Sequence, residues 1–221
     1  GTEGGITAAK QKHFVVMTPG GYCYFDHYQG EPKNEPLAIG GYTTVEKVYS
    51  FNPTPKELSS EESKYILGAQ ANVWTEYIND ASKAEYMIFP RLAALSETLW
   101  SPKESRNWED FSTRIEKMFK RYDFLGINYA KSAYLVMHDV QIDMKTKEVS
   151  LALKNEFTNA DIRYTLGDKK ITDQATKYTE PLKIDKTTTV NASLFKDDKP
   201  VGVPFNTTIE FHKAVGKKVS F

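Results

Sequence analysis

Two short stretches of this chain set an aromatic ring two residues before a carboxylate. Trp74 and Glu76 stand in the run Leu67-Gly68-Ala69-Gln70-Ala71-Asn72-Val73-Trp74-Thr75-Glu76-Tyr77, and Tyr24 and Asp26 in Tyr22-Cys23-Tyr24-Phe25-Asp26-His27-Tyr28-Gln29. Residues i and i+2 of a strand point to one face. A strand over residues 66–74 that carries on through this point therefore sends Trp74 and Glu76 out together at its C-terminal end. A flat apolar wall beside a carboxylate suits a sugar, which has apolar C–H faces and hydroxyls at its rim. In the earlier loop Tyr22 competes with Tyr24 for the aromatic role. Each pair also has a plain alternative: aromatics at strand ends commonly pack, and carboxylates are ordinarily solvated.

The elements around these residues follow from apolar patterning. Phe14-Val15-Val16-Met17-Thr18 is a short apolar run ended by Pro19-Gly20-Gly21, which reads as a buried strand. Gly20-Gly21 and Gly40-Gly41 read as turn pairs. A short helix is expected over 42–51, carrying Val45, Val48 and Tyr49 and stopped by Asn52-Pro53. Pro53, Pro55 and Ser59-Ser60 make a loop before the second strand. Asp80 or Ser82 caps what comes next. A single turn over 82–88 is then expected, followed by a helix beginning near Phe89 with Pro90 at its first position. Ile88, Leu92, Leu95 and Leu99 form its stripe, and Ser101-Pro102 ends it. Arg91 is expected to anchor this helix to a carboxylate. A last helix runs over about 107–123, with Asn107 as cap, an apolar face from Trp108 to Tyr122 and Gly126 just past its end. Trp100 and Trp108 are expected to pack this helix pair. Two strands interleaved with helices make this region α/β, and α/β barrels build their sites at the C-terminal ends of strands.

The character changes near His138. Val140, Ile142 and Met144, then Val149, Leu151 and Leu153, then Val190, Ala192 and Leu194, then Ile209 and Phe211 alternate with polar residues. Period-two alternation broken by short polar turns indicates half-buried strands, and several in so short a span indicate a small antiparallel β-sandwich. The fold class expected is thus α/β followed by all-β. The first domain spans 1–128 and the second 135–221, joined by a linker from Tyr129 to Tyr134.

Composition removes several classes. Lys+Arg and Asp+Glu both number 29, for zero formal net charge, which gives no electrostatic reason to expect nucleic acid or an anionic membrane. No apolar run approaches a membrane span. Four scattered His without ligand spacing argue against a metal site, and no phosphate loop calls for a nucleotide cofactor. Cys23 is the only cysteine. It could be a nucleophile with His13 or His27 nearby, but a lone Cys among aromatics is ordinarily packing. Asn191-Ala192-Ser193 and Asn206-Thr207-Thr208 fit the glycosylation sequon.

GAQANVWTEYI, followed by EYMIFPRLAALSETLWS, resembles the end of the catalytic barrel of family 20 glycoside hydrolases, the β-N-acetylhexosaminidases. VVMTPGGYCYFDHYQ resembles the preceding strand and loop of that barrel. The resemblance covers roughly residues 6–125. Ile162-Arg163-Tyr164-Thr165-Leu166, Tyr178 to Leu182 and Thr187 to Ala192 resemble the immunoglobulin-like domain often appended to such enzymes.

The resemblance implies the last two strands and helices of a (β/α)8 TIM barrel. It implies an exo-acting enzyme that removes terminal β-linked GlcNAc or GalNAc. The nucleophile is the substrate's own acetamido oxygen rather than a protein carboxylate. Tyr24 matches the tyrosine that hydrogen-bonds the acetamido oxygen, Trp74 the indole that walls the acetamido pocket, Glu76 the carboxylate that binds hydroxyls at C4 and C6, and Asp26 a second hydroxyl-binding carboxylate. The family's adjacent Asp-Glu acid/base pair has no counterpart, because the sequence contains no Asp-Glu dipeptide. The chain therefore reads as a C-terminal fragment whose partners are the N-terminal part of the same barrel and N-acetylhexosamine-terminated glycans. No cofactor is implied, the location implied is periplasmic or secreted, and the isolated fragment is expected to be inactive. The competing readings are a carbohydrate-binding module without catalysis and an inactive barrel homologue.

Overall fold

The computed structural model describes residues 1–157, 159–212 and 214. The chain is a mixed α/β region followed by an all-β region, and it divides into two compact units with the boundary between Ser132 and Ala133.

The first unit opens with α1 (Glu3–Lys10) and β1 (Val15–Met17), and then α2 (Gly20–Cys23), α3 (Val45–Ser50), α4 (Ser60–Ser63) and β2 (Ile66–Ala69). β1 and β2 pair in parallel, Val16 opposite Gly68 and Met17 opposite Ala69. They form a two-stranded sheet; no barrel is closed among the described residues. Gly20-Gly21 is not a plain turn pair. Pro19 precedes a single helical turn in which the amides of Tyr22 and Cys23 both reach its carbonyl. β2 is shorter than the 66–74 expected, with Gly68 at φ +137, and Asn72 pairs only as an isolated bridge.

Three helices complete this unit: α5 (Ala81–Ile88), α6 (Arg91–Trp100) and α7 (Trp108–Leu125). Of the two candidate caps, Asp80 holds α5, its Oδ1 accepting from the Lys83 amide at 2.7 Å. α5 is a two-turn helix rather than a single turn, and Pro90 caps α6 rather than occupying its first helical position. α7 has the expected ends: Asn107 accepts from the Asp110 amide at 2.9 Å, and Gly126 takes the left-handed conformation that lets the chain leave. Tyr49 of α3 joins α6 and α7. Its ring stacks on Phe111 at 4.5 Å, and its hydroxyl donates to Glu97 of α6 at 2.9 Å. Trp108 meets the same cluster at 5.5 Å from Tyr49. Trp100 departs from expectation, being 90% exposed at the end of α6.

The second unit has two antiparallel sheets. One contains β3 (Met137–Ile142), β4 (Val149–Lys154) and β7 (Leu182–Ile184) in the order β3-β4-β7; the other runs β6-β5-β8-β9, from β5 (Asp161–Leu166), β6 (Thr176–Lys177), β8 (Thr188–Lys196) and β9 (Lys199–Ile209). Val149, Leu151 and Leu153 of β4 share one buried cluster with Ile184 of β7, Val190, Ala192 and Leu194 of β8 and Phe205 of β9. Their alternation is the one the sequence shows. On the edge strand β3 it fails: Val140 and Ile142 lie on the exposed side, and Met144 falls in the turn beyond.

Candidate functional site

The segments beyond β1 and β2 lie side by side. The Phe25 amide donates to the Asn72 carbonyl and the Asn72 amide to the Cys23 carbonyl, each at 2.8 Å, a parallel bridge between Tyr24 and Asn72. Tyr24-Phe25-Asp26 and Asn72-Val73-Trp74 therefore leave one end of the parallel pair together. Glu76 follows in a turn closed by the Ile78 amide on the Thr75 carbonyl at 3.0 Å. It is this bridge and turn, rather than a continuous strand, that place Trp74 and Glu76.

The four side chains differ in surroundings. Trp74 is 54% exposed and meets no other ring among the described residues. Glu76 is exposed and pairs with no cation among the described residues. Tyr24 is half-buried, 5.6 Å from the His27 ring. Asp26 is 7% exposed, and its Oδ1 has no hydrogen-bond partner. A buried carboxylate oxygen without a partner is costly. Tyr22, the competing aromatic, is otherwise engaged: it stacks on Phe51 at 5.1 Å.

The loop is held from behind by Arg91, which sequence reasoning assigned to a carboxylate. It is fully buried and instead donates to four backbone carbonyls: Nη1 to His27 and Thr43 at 3.0 Å, and Nη2 to Phe25 and Met87. Its guanidinium also lies 4.8 Å from the Phe25 ring centroid. Burial lowers the Arg91 pKa, and the charges of Glu35 and Asp26 oppose that shift. A planar fork of donors matches converging carbonyls in a way a point charge cannot.

Sequence reasoning also missed Glu35. Ser132 and Tyr86 donate their hydroxyls to its carboxylate, and burial raises its pKa against those bonds. Gln29 lies at the same place, its Nε2 donating to the Tyr86 carbonyl at 2.6 Å. No local signal marks this cluster, since its members come from positions 29, 35, 86 and 132.

Cys23 is fully buried, and burial pushes its thiol up to about 11. It is an inert packing residue at neutral pH. Among the described residues no group of three or more His, Cys, Asp or Glu could hold a metal ion, and no helix is long and apolar enough to cross a membrane.

Comparison with known proteins bears on this arrangement. Residues 1–103 match the model of glycosyl hydrolase family 20, catalytic domain, and residues 151–209 match the Fn3-associated model. A β-hexosaminidase of Porphyromonas gingivalis is 40% identical over 193 residues, 85% of this chain and 24% of that protein. A β-N-acetylhexosaminidase of Cellulomonas fimi is 28% identical over 58% of this chain and 25% of that protein. The chain thus spans about a quarter of the length of these relatives. Among solved structures, the family 20 exo-β-N-acetylglucosaminidase of Vibrio harveyi in complex with N-acetylglucosamine is 33% identical with a TM-score of 0.53, over 60% of this chain and 21% of that one. Residues 1–103 are accordingly homologous to the catalytic domain of the family 20 β-hexosaminidases, and an Fn3-associated segment follows them.

Proposed function

We propose that this chain is the C-terminal part of an exo-β-N-acetylhexosaminidase, which removes terminal β-linked GlcNAc or GalNAc with retention of configuration. β1 and β2 are then the last two strands of a (β/α)8 barrel within a domain over 1–128, and residues 135–221 form an immunoglobulin-like β-sandwich. Lettered in chain order as A, B, C, C′, E, F and G, the second unit's sheets read A-B-E and C′-C-F-G, an order compatible with such a sandwich. The N-terminal part of the barrel supplies the adjacent Asp-Glu pair, a dipeptide absent from this sequence. Substrates of this kind fit a periplasmic or secreted protein.

In the reaction the acetamido oxygen attacks C1 as the glycosidic bond breaks, giving an oxazolinium ion that water then opens. The Asp of the pair orients the acetamido N–H. The Glu protonates the leaving oxygen and then activates the water. The residues of this chain hold the sugar. The Tyr24 phenol donates to the acetamido oxygen without carrying charge, a bond that strengthens as charge develops. Trp74 walls the acetamido methyl, Glu76 accepts from the C4 and C6 hydroxyls, and Asp26 accepts from a further hydroxyl.

The observation that carries this reading is the Tyr24–Asn72 bridge, which sets both aromatic–carboxylate pairs at one end of a parallel strand pair. The test is hydrolysis of a chromogenic β-N-acetylglucosaminide by the longest natural polypeptide carrying this segment, with the present chain assayed beside it. Activity in the first and none in the second is expected. A long polypeptide that binds N-acetylglucosamine but cleaves neither GlcNAc nor GalNAc substrates would replace this reading with a carbohydrate-binding or inactive barrel homologue.

A further inference from the structure

The Tyr24 hydroxyl makes no hydrogen bond among the described residues, so no polar group among them aims it. Its direction is set by what its ring touches. On one side Gly20 leaves space that a side chain would fill: a Cβ there would stand 3.8 Å from three of the ring's carbons. On another side stands the His27 ring, tilted by 51° to it.

His27 is itself fixed on several sides. Its Nδ1 lies 3.2 Å from the hydroxyl of Thr43, a fully buried residue. Gly41, at φ +67, lies so close to the imidazole that a Cβ would come within 2.4 Å of Cγ and Nδ1. The carbonyls of His27 and Thr43 both accept from Arg91 Nη1 at 3.0 Å. The backbone on each side of the ring contact is thus fastened to one guanidinium. The Tyr28 amide on the Gly40 carbonyl and the Thr43 amide on the Tyr28 carbonyl, at 3.2 and 2.9 Å, close the frame. A side chain tied this firmly, with no hydrogen bond at its Nε2 among the described residues, serves as a wedge.

We propose that His27 is the positioning residue for Tyr24: its ring, locked by Thr43, Gly41 and Arg91, fixes the angle at which the phenol meets the acetamido oxygen. This rests on the proposed hexosaminidase reading and names a residue that acts through Tyr24 rather than on the sugar. Misplacing a reacting group by about 1 Å costs on the order of 100-fold in rate, so a wedge one residue removed from the sugar is enough to matter.

The experiment is a double-mutant cycle in the longest natural polypeptide carrying this segment, with kcat, KM and the Kd for N-acetylglucosamine measured for each variant. His27→Ala is expected to lower kcat by about 10- to 100-fold with little change in Kd. In a Tyr24→Phe background the same change should cost less than about threefold, because the group it positions is already gone. His27→Phe keeps a ring in place and should restore most of kcat. Multiplying losses in the double variant would overturn the proposal. So would a folded His27→Phe enzyme as slow as His27→Ala, which would assign the role to the ring nitrogen. Should His27→Ala not fold, a folded His27→Phe enzyme within about threefold of the wild-type kcat supports the proposal, and one slower by about 10-fold or more overturns it. An inactive wild type would instead overturn the hexosaminidase reading, so the two failures are distinct.

Discussion

Replacing Arg91 by Met keeps the length of the side chain and deletes every donor. The carbonyls of Phe25, His27, Thr43 and Met87 each lose the bond that Arg91 makes to them. Stranding a buried acceptor costs about 1–3 kcal/mol. Relaxation of the loop and relief from burying a charge bring each to the low end, so the four together cost about 3–4 kcal/mol. For a unit of this size each kcal/mol moves the melting temperature by about 3–4 °C. A drop of about 10–15 °C is therefore expected in a thermal melt followed by circular dichroism. Arg91→Lys should recover under half of this, since one ammonium cannot reach carbonyls spread across a planar fork. The mechanism is wrong if Arg91→Met melts within about 2 °C of wild type. It is also wrong if Lys restores full stability, because the geometry of the fork would then contribute nothing.

Trp74→Ala should give the opposite profile: the ring is half exposed and touches no other ring among the described residues, so stability changes by less than about 0.5 kcal/mol, while titration calorimetry of the sugar-binding protein should show at least about tenfold weaker N-acetylglucosamine binding. Cys23 should resist a thiol reagent in the native protein and react about 100-fold faster in denaturant, because burial removes both access and thiolate. Glu35 and Glu97 should tilt the pH dependence of stability in opposite senses. Burial raises the Glu35 carboxyl, so its contribution is present below the ordinary glutamate value of about 4.3 and lost as pH rises through the folded value. Hydrogen bonding from Arg114 lowers that of Glu97, so its contribution is present above about 4.3 and lost as pH falls through the folded value. Urea unfolding of Glu35→Gln and Glu97→Gln from pH 3 to 8 should show the first variant gaining on wild type as pH rises and the second falling behind; parallel curves would remove the assignment.

Local signals carried most of the elements. The run from Phe14 to Thr18, the Asn107 cap and the glycine after α7 are each read from a few adjacent residues, and the structure has all of them. Three helices lay outside that reading: α1, α4 and α2, whose Gly20-Gly21 reads as a turn. α1 contains Gly4 and Gly5, which weaken any helical pattern. α4 is one turn long, yet its Ser59-x-x-Glu62 capping box was there to be seen: Ser59 accepts from the Glu62 amide, and Glu62 from the Ser59 amide. The end of β2 was misplaced because apolar character continues through Val73 and Trp74 while the ladder stops at Ala69 and resumes only as the Tyr24–Asn72 bridge. Arg91 was recognised as an anchor, but its targets lie at positions 25, 27, 43 and 87. Carbonyls leave no mark in a sequence, so a search for a partner by side-chain charge finds a carboxylate instead.

Polar groups around Asp26 are satisfied on one side and not on the other. Behind the loop, Arg91 takes up the carbonyls of Phe25 and His27, the two residues that flank Asp26. Thr43 meets the next side chain, and the bridge to Asn72 fixes the residues before it. Between these fixed points the Asp26 carboxylate keeps an oxygen without a partner. The Asp26 charge favours the buried Arg91 guanidinium, yet Asn or Leu would spare the loop a buried carboxylate oxygen that no group pairs with among the described residues. A binding loop gains from this arrangement: the backbone is immobilised before the ligand arrives, so its ordering is not set against affinity. Asp26→Asn separates the two explanations. It should leave stability unchanged or improved while weakening the sugar, whereas a structural carboxylate would lose stability and leave binding alone.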